Sequence, residues 1–461
     1  MTALRASVPF RRPTRIRPIG LILAALVVIG GSYGASWLAT AIGGGATHDV
    51  RTGRDDAFAL GAADEASGPA DLAAIDVQIK IWGPKAAADA RDDISAGNLT
   101  VLYLGRGRLT GDAADYDRAS AAAARALAAN PTAIATRALK ATVLQATHDF
   151  TGALALADTI LAQEPREVDA LAVAGDAQLE LGRLDAASET YRKIAAIAPG
   201  PALDARLARL AWLRGDAGGA LKLATSARDG AGRIETTDPS FYEAQLGEIA
   251  RVTGRTDIAQ AAFSAALALR PTNQLALLGT ARLDAFAGDD QAAIAQLQTA
   301  AAIAPRPETL ALLSDLLART GDRAGAARAA QTVHLIEQLG GTSAALFDRQ
   351  ILGFDLDHGD ATTTVRDRAT AAAAIRPDAA GLDVVAWAAY RLGDLQTARA
   401  ESTKALASGT ADARILYHAG AIAIASGNAA AGRVLIERAL DLGPALDPLD
   451  RHDAQELVSG P

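Results

Sequence analysis

Cysteine is absent from the 461-residue chain, which excludes disulfides, thiolate catalysis and cysteine-ligated metals together. Its absence fits either side of a bacterial-type inner membrane and does not choose between them. Aromatics are scarce, at 4% of residues, so a core has to be built from small side chains at close helix spacing. An excess of basic charge is lacking too: 45 Lys and Arg stand against 53 Asp and Glu, a formal net charge of -8. With no basic stripe to offset that balance, nucleic acid is not expected as a partner. Half of the residues are apolar and periodically placed, which argues against disorder.

One long uncharged run is present. Residues 18–42, PIGLILAALVVIGGSYGASWLATAI, carry no charge over 25 positions, a length that crosses about 30 Å of hydrocarbon at 1.5 Å per residue. Arg11, Arg12, Arg15 and Arg17 precede it, whereas His48 and Asp49 follow. The expected topology is a single-pass transmembrane signal anchor, with residues 1–17 in the cytoplasm and the body outside, on the periplasmic or extracellular side. A cleaved signal peptide is the alternative, because Ala39-Thr40-Ala41 has the small-x-small form. Residues 43–97 follow as a tether and irregular or capping segment, Gly-, Asp- and Ala-rich as far as residue 75.

Beyond the tether the chain repeats. Pro131, Pro165 and Pro199 are 34 residues apart, as are Pro271 and Pro305. The same interval separates Gly254 from Gly288, Gly359 from Gly393, and Gly393 from Gly427. Within one copy a small residue, a turn glycine, a second small residue, a large apolar residue and a proline keep fixed offsets. Gly175, Gly182, Ala187, Tyr191 and Pro199 form one such set, and Gly247, Gly254, Ala259, Phe263, Ala266 and Pro271 another. Ala293 and Pro305 belong to the next copy, and Gly420, Ala439 and Pro444 to the last. Each copy reads as two helices: the first stops at a glycine able to take the left-handed conformation, and the second is blocked by proline. One hairpin cannot bury its own apolar stripes, so neighbours must stack into a solenoid.

With Leu246-Gly247, Ala259, Phe263, Ala266 and Pro271 in register, the chain resembles the tetratricopeptide repeat family, whose pattern is W-x2-L-G-x2-Y, A-x3-F and then proline. Glu243 and Ala250 stand where that pattern has its leading aromatic and its tyrosine. The resemblance implies an all-α, right-handed superhelical solenoid of stacked antiparallel helix pairs, preceded by one transmembrane helix. About ten repeats are expected over residues 98–444, starting near 100, 134, 168, 201, 240, 274, 307, 345, 379 and 413, with residues 445–461 as a C-terminal cap or tail.

The resemblance also implies a protein- or peptide-binding scaffold whose concave groove is built from the first helix of each repeat. Carried over position by position, that groove contains Arg209, Trp212, Arg251, Arg282, Phe286, Arg319, Asp383, Trp387, Tyr390, Arg391, Arg414 and Tyr417. Rigid rings and forked guanidiniums are the side chains that contribute most at binding surfaces.

Signs of an enzyme are missing. The six histidines are scattered without H-E-x-x-H or ligand spacing. His418 reads as a packing or hydrogen-bonding residue, and GRGRLTG at 105–111 lacks the closing Gly-Lys-Ser/Thr of a phosphate loop. No cofactor, metal or small-molecule substrate is expected. Two functions fit: a membrane-tethered scaffold that recruits a protein partner through the groove, or an assembly subunit of an envelope complex joined through the solenoid edges.

Overall fold

A computed structural model describes residues 69–231, 238–339, 341–359 and 361–459. The expected anchor, 18–42, and the expected tether as far as residue 68 lie outside the described residues. No helix among the described residues is long and apolar enough to cross a membrane.

Twenty-two α-helices, and no strand, make up the regular structure of the described residues, with one 3-10 turn at Gly443–Ala445. Helix α1 (Pro69–Ala88) leads. Antiparallel pairs follow: α2 (Asp93–Thr110) with α3 (Ala113–Ala129), α4 (Ile134–Ala146) with α5 (Phe150–Leu161), and α6 (Val168–Glu180) with α7 (Leu184–Ala195). Next come α8 (Pro201–Leu213) with α9 (Ala217–Ala231), α10 (Pro239–Val252) with α11 (Thr256–Leu269), and α12 (Gln274–Ala287) with α13 (Asp290–Ile303). The series ends with α14 (Pro307–Arg319) and α15 (Arg323–Gln338), α16 (Gly341–Asp357) and α17 (Thr363–Ile375), α18 (Ala379–Arg391) and α19 (Leu395–Leu406), and α20 (Ala413–Ala425) and α21 (Ala429–Asp441). Helix α22 (Pro448–Ser459) packs on α20 and α21.

The first helices of neighbouring pairs touch one another, as α8 touches α10 and α18 touches α20. They form the inner layer of a tetratricopeptide-like solenoid, and the second helices form the outer one.

The offsets seen in the sequence have a steric origin. A Cβ on Gly247 would come within 2.5 Å of Phe263 Cδ1, and one on Gly175 within 2.5 Å of Tyr191 Cε1. Gly420 stands in the same relation to Ile436 Cγ1. Each small residue on a first helix therefore makes room for the large residue on its partner. Phe263 and Tyr191 are fully buried by this arrangement, Tyr191 with Ala187 and Phe263 with Ala259 and Ala266, while Ala293 and Ala439 are buried in their own copies.

Between the two helices of a pair, the turn residue is left-handed, as at Gly254 (φ 73°). In the second pair His148 takes that position with φ 62°, a costlier choice for a residue with a Cβ. In several pairs an Asp or Asn then caps the second helix: Asp289 accepts from Ala292 N at 3.0 Å and Asp394 from Thr397 N at 3.1 Å.

Two sequence expectations change. Residues 69–75, read as tether, begin α1, because Ile75, Ile79, Trp82 and Ala86 form a helical stripe that packs with Leu99, Ala122 and Tyr103. The first pair starts at Asp93 rather than near residue 100, capped by Asp92, which accepts from Ser95 N at 2.8 Å.

The solenoid also closes on itself. Leu104, Tyr116 and Ala119 near its start share one cluster with Leu310, Val333, Phe347 and Phe354. Further along, Arg376 pairs with Glu180 and lies 4.8 Å over the Phe150 ring. Gly215 abuts the Gly409 carbonyl, and Arg251 Nη1 donates to Pro444 O at 2.7 Å. At the end of the seam Arg282 Nε meets Asp447 Oδ1 at 2.9 Å and Arg451 lies 4.8 Å over Phe286. Successive turns of the superhelix thus rest on each other from start to finish.

Gly247→Ala should destabilise the chain by about 1–3 kcal/mol, because the added methyl forces Phe263 out of its rotamer or the helices apart. Urea unfolding followed by circular dichroism checks this, and an unchanged midpoint would sink the packing assignment.

Candidate functional site: a charge-paired central cavity

The inner layer lines a partly open cavity of about 1170 Å³. Its wall is supplied by the first helices α6, α8, α10, α12, α16, α18 and α20, by parts of the second helices α9, α17 and α19, and by the linkers that make the seam. Arg209, Trp212, Arg251, Arg282, Asp383 and Arg414 are in that wall, as the groove positions carried over from the repeat pattern require.

Every arginine and lysine lining the cavity has a carboxylate partner. Arg209 Nη2 is 2.5 Å from Glu180 Oε1, and Arg349 Nη2 is 2.5 Å from Asp378 Oδ1. Arg251 grips Glu248 with two hydrogen bonds, of 2.8 and 2.7 Å. Arg414 pairs with Asp357, and its Nε is 3.5 Å from Asp450 Oδ2. Arg214 meets Asp185, Arg376 meets Glu180, and Lys404 meets Glu401. Trp212 contrasts with these: its indole Nε1 is buried and donates to no protein atom.

The remaining predicted groove residues sit elsewhere, and each for a physical reason. Trp387 is 6% exposed, stacked on His418 at 3.9 Å, and its Nε1 donates to Asp357 Oδ1 at 3.1 Å. Tyr417 is buried beside it and Tyr390 stacks on its other side at 4.9 Å. These rings fill the wall between α18 and α20 instead of facing the cavity. Phe286 lies under Arg451 in the seam. Arg319 Nε binds Asp290 Oδ2 at 2.8 Å, away from the cavity, and Arg391 is exposed. Sequence reasoning missed Glu180, Asp357, Arg376, Asp447 and Asp450, whose partners are far away in the chain.

The 443–459 segment occupies one end of the cavity. Pro444 and Asp447 dock onto Arg251 and Arg282, with Glu248 between them. Burial pushes the Glu248 carboxyl up, but Arg251 and Arg282 pull it further down, so it stays below its ordinary 4.5. Asp447 is likewise held below 3.8 once Arg282 and Arg251 outweigh its burial. Burial works against the Arg282 guanidinium, yet Asp447 and Glu248 hold its proton more tightly than usual.

Residues 138–202 and 244–308 match the family model described as tetratricopeptide repeat. The fold is a tetratricopeptide-like helical solenoid. No curated protein matches the chain. Among solved structures, a human IFIT1 dimer with m7Gppp-AAAA is 14% identical, over 79% of this chain and 85% of that one, at a TM-score of 0.46. A tetratricopeptide repeat protein from Parabacteroides merdae is 15% identical, over 56% of this chain and 98% of that one, at 0.38. The APC/C hetero-tetramer Cut9-Hcn1 is 14% identical, over 83% and 82%, also at 0.38.

The paired carboxylates set a pH dependence. Their folded pKa values are depressed, so the stability they contribute is present above the unfolded values of 3.8 to 4.5 and lost as pH falls through the folded ones. Thermal melts of the wild type should therefore fall off below about pH 4. Asp447→Asn should melt lower than wild type at pH 7, with the gap closing toward pH 3. A gap that stays constant with pH would contradict the pairing.

Proposed function

We propose that the chain is a membrane-tethered, non-enzymatic scaffold whose tetratricopeptide-type solenoid holds an extended segment of a protein partner in the central cavity, outside the cytoplasm. Trp212 carries this reading: a large, half-buried ring in the cavity wall suits the anchoring of a peptide. The cavity exceeds the roughly 300–1,000 Å³ of ordinary small-molecule sites. Because its guanidiniums are already matched by carboxylates, a polyphosphate backbone finds no unpaired cation there, which favours a protein segment over nucleic acid. The membrane anchor is the uncharged run 18–42 behind its four arginines.

A second reading draws on the same pairing. A cavity satisfied by its own ion pairs leaves the outer helices, with exposed Val434, Leu335 and Leu339, as the surface of an assembly subunit.

One experiment separates the two. A photo-crosslinking residue placed at Trp212 or at Val434 of the full chain, in its native cells, should capture one and the same partner from Trp212 only. Capture from Val434 and not from Trp212 would overturn the scaffold reading in favour of the assembly one. Deleting residues 18–42 should move the chain from the membrane pellet to the soluble fraction, and retention in the pellet would contradict the tether.

A further inference from the structure

The last turn of the superhelix brings together three chemistry-bearing side chains from three helices: Asp357 at the end of α16, His418 on α20 and Asp450 on α22. One ligand atom of each lies within 4.8 Å of the other two. The sequence separates the outer pair by 93 positions, so no local spacing announces the set.

The histidine is the informative member. Its Nδ1 is 2.8 Å from Asp383 Oδ2, so this nitrogen carries the proton and donates it to the carboxylate. In the neutral imidazole, the form that binds a metal, the proton on Nδ1 leaves a lone pair on Nε2. That atom is buried and has no hydrogen-bond partner, on a side chain that is 3% exposed. A buried nitrogen acceptor beside two carboxylates lacks a compensating donor, a costly arrangement unless something positive joins it. A histidine present only for packing would leave that lone pair unexplained.

The surroundings are those of an oriented ligand set. Trp387 lies parallel to the imidazole, 3.9 Å between ring centres and 8° apart in plane, which fixes the ring. The same indole donates to Asp357 Oδ1 at 3.1 Å, fixing that carboxylate. Arg414 bridges Asp357 and Asp450. Three carboxylates, Asp357, Asp383 and Asp450, surround the Arg414 guanidinium here, an acidic set suited to a divalent cation. Partners that position a ligand from behind in this way are a regular part of metal centres.

We propose that Asp357, His418 and Asp450 bind one first-row divalent cation, for which Zn²⁺ is the best match. One imidazole nitrogen and two carboxylate oxygens, without sulfur, suit zinc, with solvent in the remaining position. The bound ion staples α22 to α16 and α20. Because Asp383, Arg414 and Asp450 also line the cavity, the ion sits in its wall and secures the C-terminal segment that fills one end. Asp383 is a positioning residue in this account. The inference does not depend on the identity of any partner.

Isothermal titration of the metal-stripped full chain with ZnCl₂ tests it. One Zn²⁺ per chain should bind, and the ion should raise the melting temperature and slow hydrogen exchange in α22. Asp450→Asn, which keeps the shape of the side chain, and His418→Ala should each weaken binding by more than tenfold, with circular dichroism confirming the fold. Asp383→Asn should weaken it by about 10-fold through loss of the imidazole orientation. His452→Ala, in the exposed group His452, Asp453 and Glu456, should leave the affinity unchanged. The proposal is overturned if no Zn²⁺ binds, if binding survives both Asp450→Asn and His418→Ala, or if it is lost in His452→Ala.

Discussion

Phe263 is wedged between two glycines, Gly247 on its own hairpin and Gly279 on the next, and neither has room for a methyl group. That contact is the constraint from which the molecule follows. A chain with few aromatics fixes its helix spacing with one large ring against bare backbone, then fills the rest with alanine. Tyr191 against Gly175 and Ile436 against Gly420 repeat the device with different side chains. Dispersion acts over every such close contact, so many small side chains hold the layers without large ones.

Stacking alone would leave an open groove. Here the turns also meet edge to edge, through the Leu104–Phe354 cluster at one end and ion pairs such as Arg376–Glu180 and Arg282–Asp447 further along. Pairs of this kind are expensive to half-break, because removing one partner strands a desolvated charge. The seam therefore makes closure cooperative, and it turns the concave face of an open array into the wall of a cavity. Function is framed by that closure: whatever occupies the cavity shares it with the C-terminal segment.

What the sequence made legible was everything with a local period. The turn glycines, the small-to-large offsets and the stops after Leu269 and Ile303 recur because each hairpin solves the same packing problem. Helix α1 was missed and read as tether and irregular segment, because Gly83 and Pro84 interrupt the helical spacing of Ile75, Ile79, Trp82 and Ala86. The cavity was half legible. Arg209, Trp212, Arg251 and Arg282 fall on the inner face because the repeat dictates it. Trp387 and Tyr417 occupy positions of the same kind yet are buried, since α18 and α20 approach closely enough to trap them. The seam had no local signal at all: Arg376 finds Glu180 across 196 positions, and Arg251 finds Pro444 across 193. Such pairings depend on the summed curvature of many repeats, which no single repeat encodes.

Closure of the superhelix is the claim on which the cavity, its charge pairing and the placement of the C-terminal segment all rest. The chain has no cysteine, so spin labels attached through Arg183→Cys and Ala380→Cys report one distance across the seam without background. Double electron–electron resonance on that pair should give a single narrow, short distance. A long or broad distribution would show turns that stand apart, and would contradict the closed superhelix.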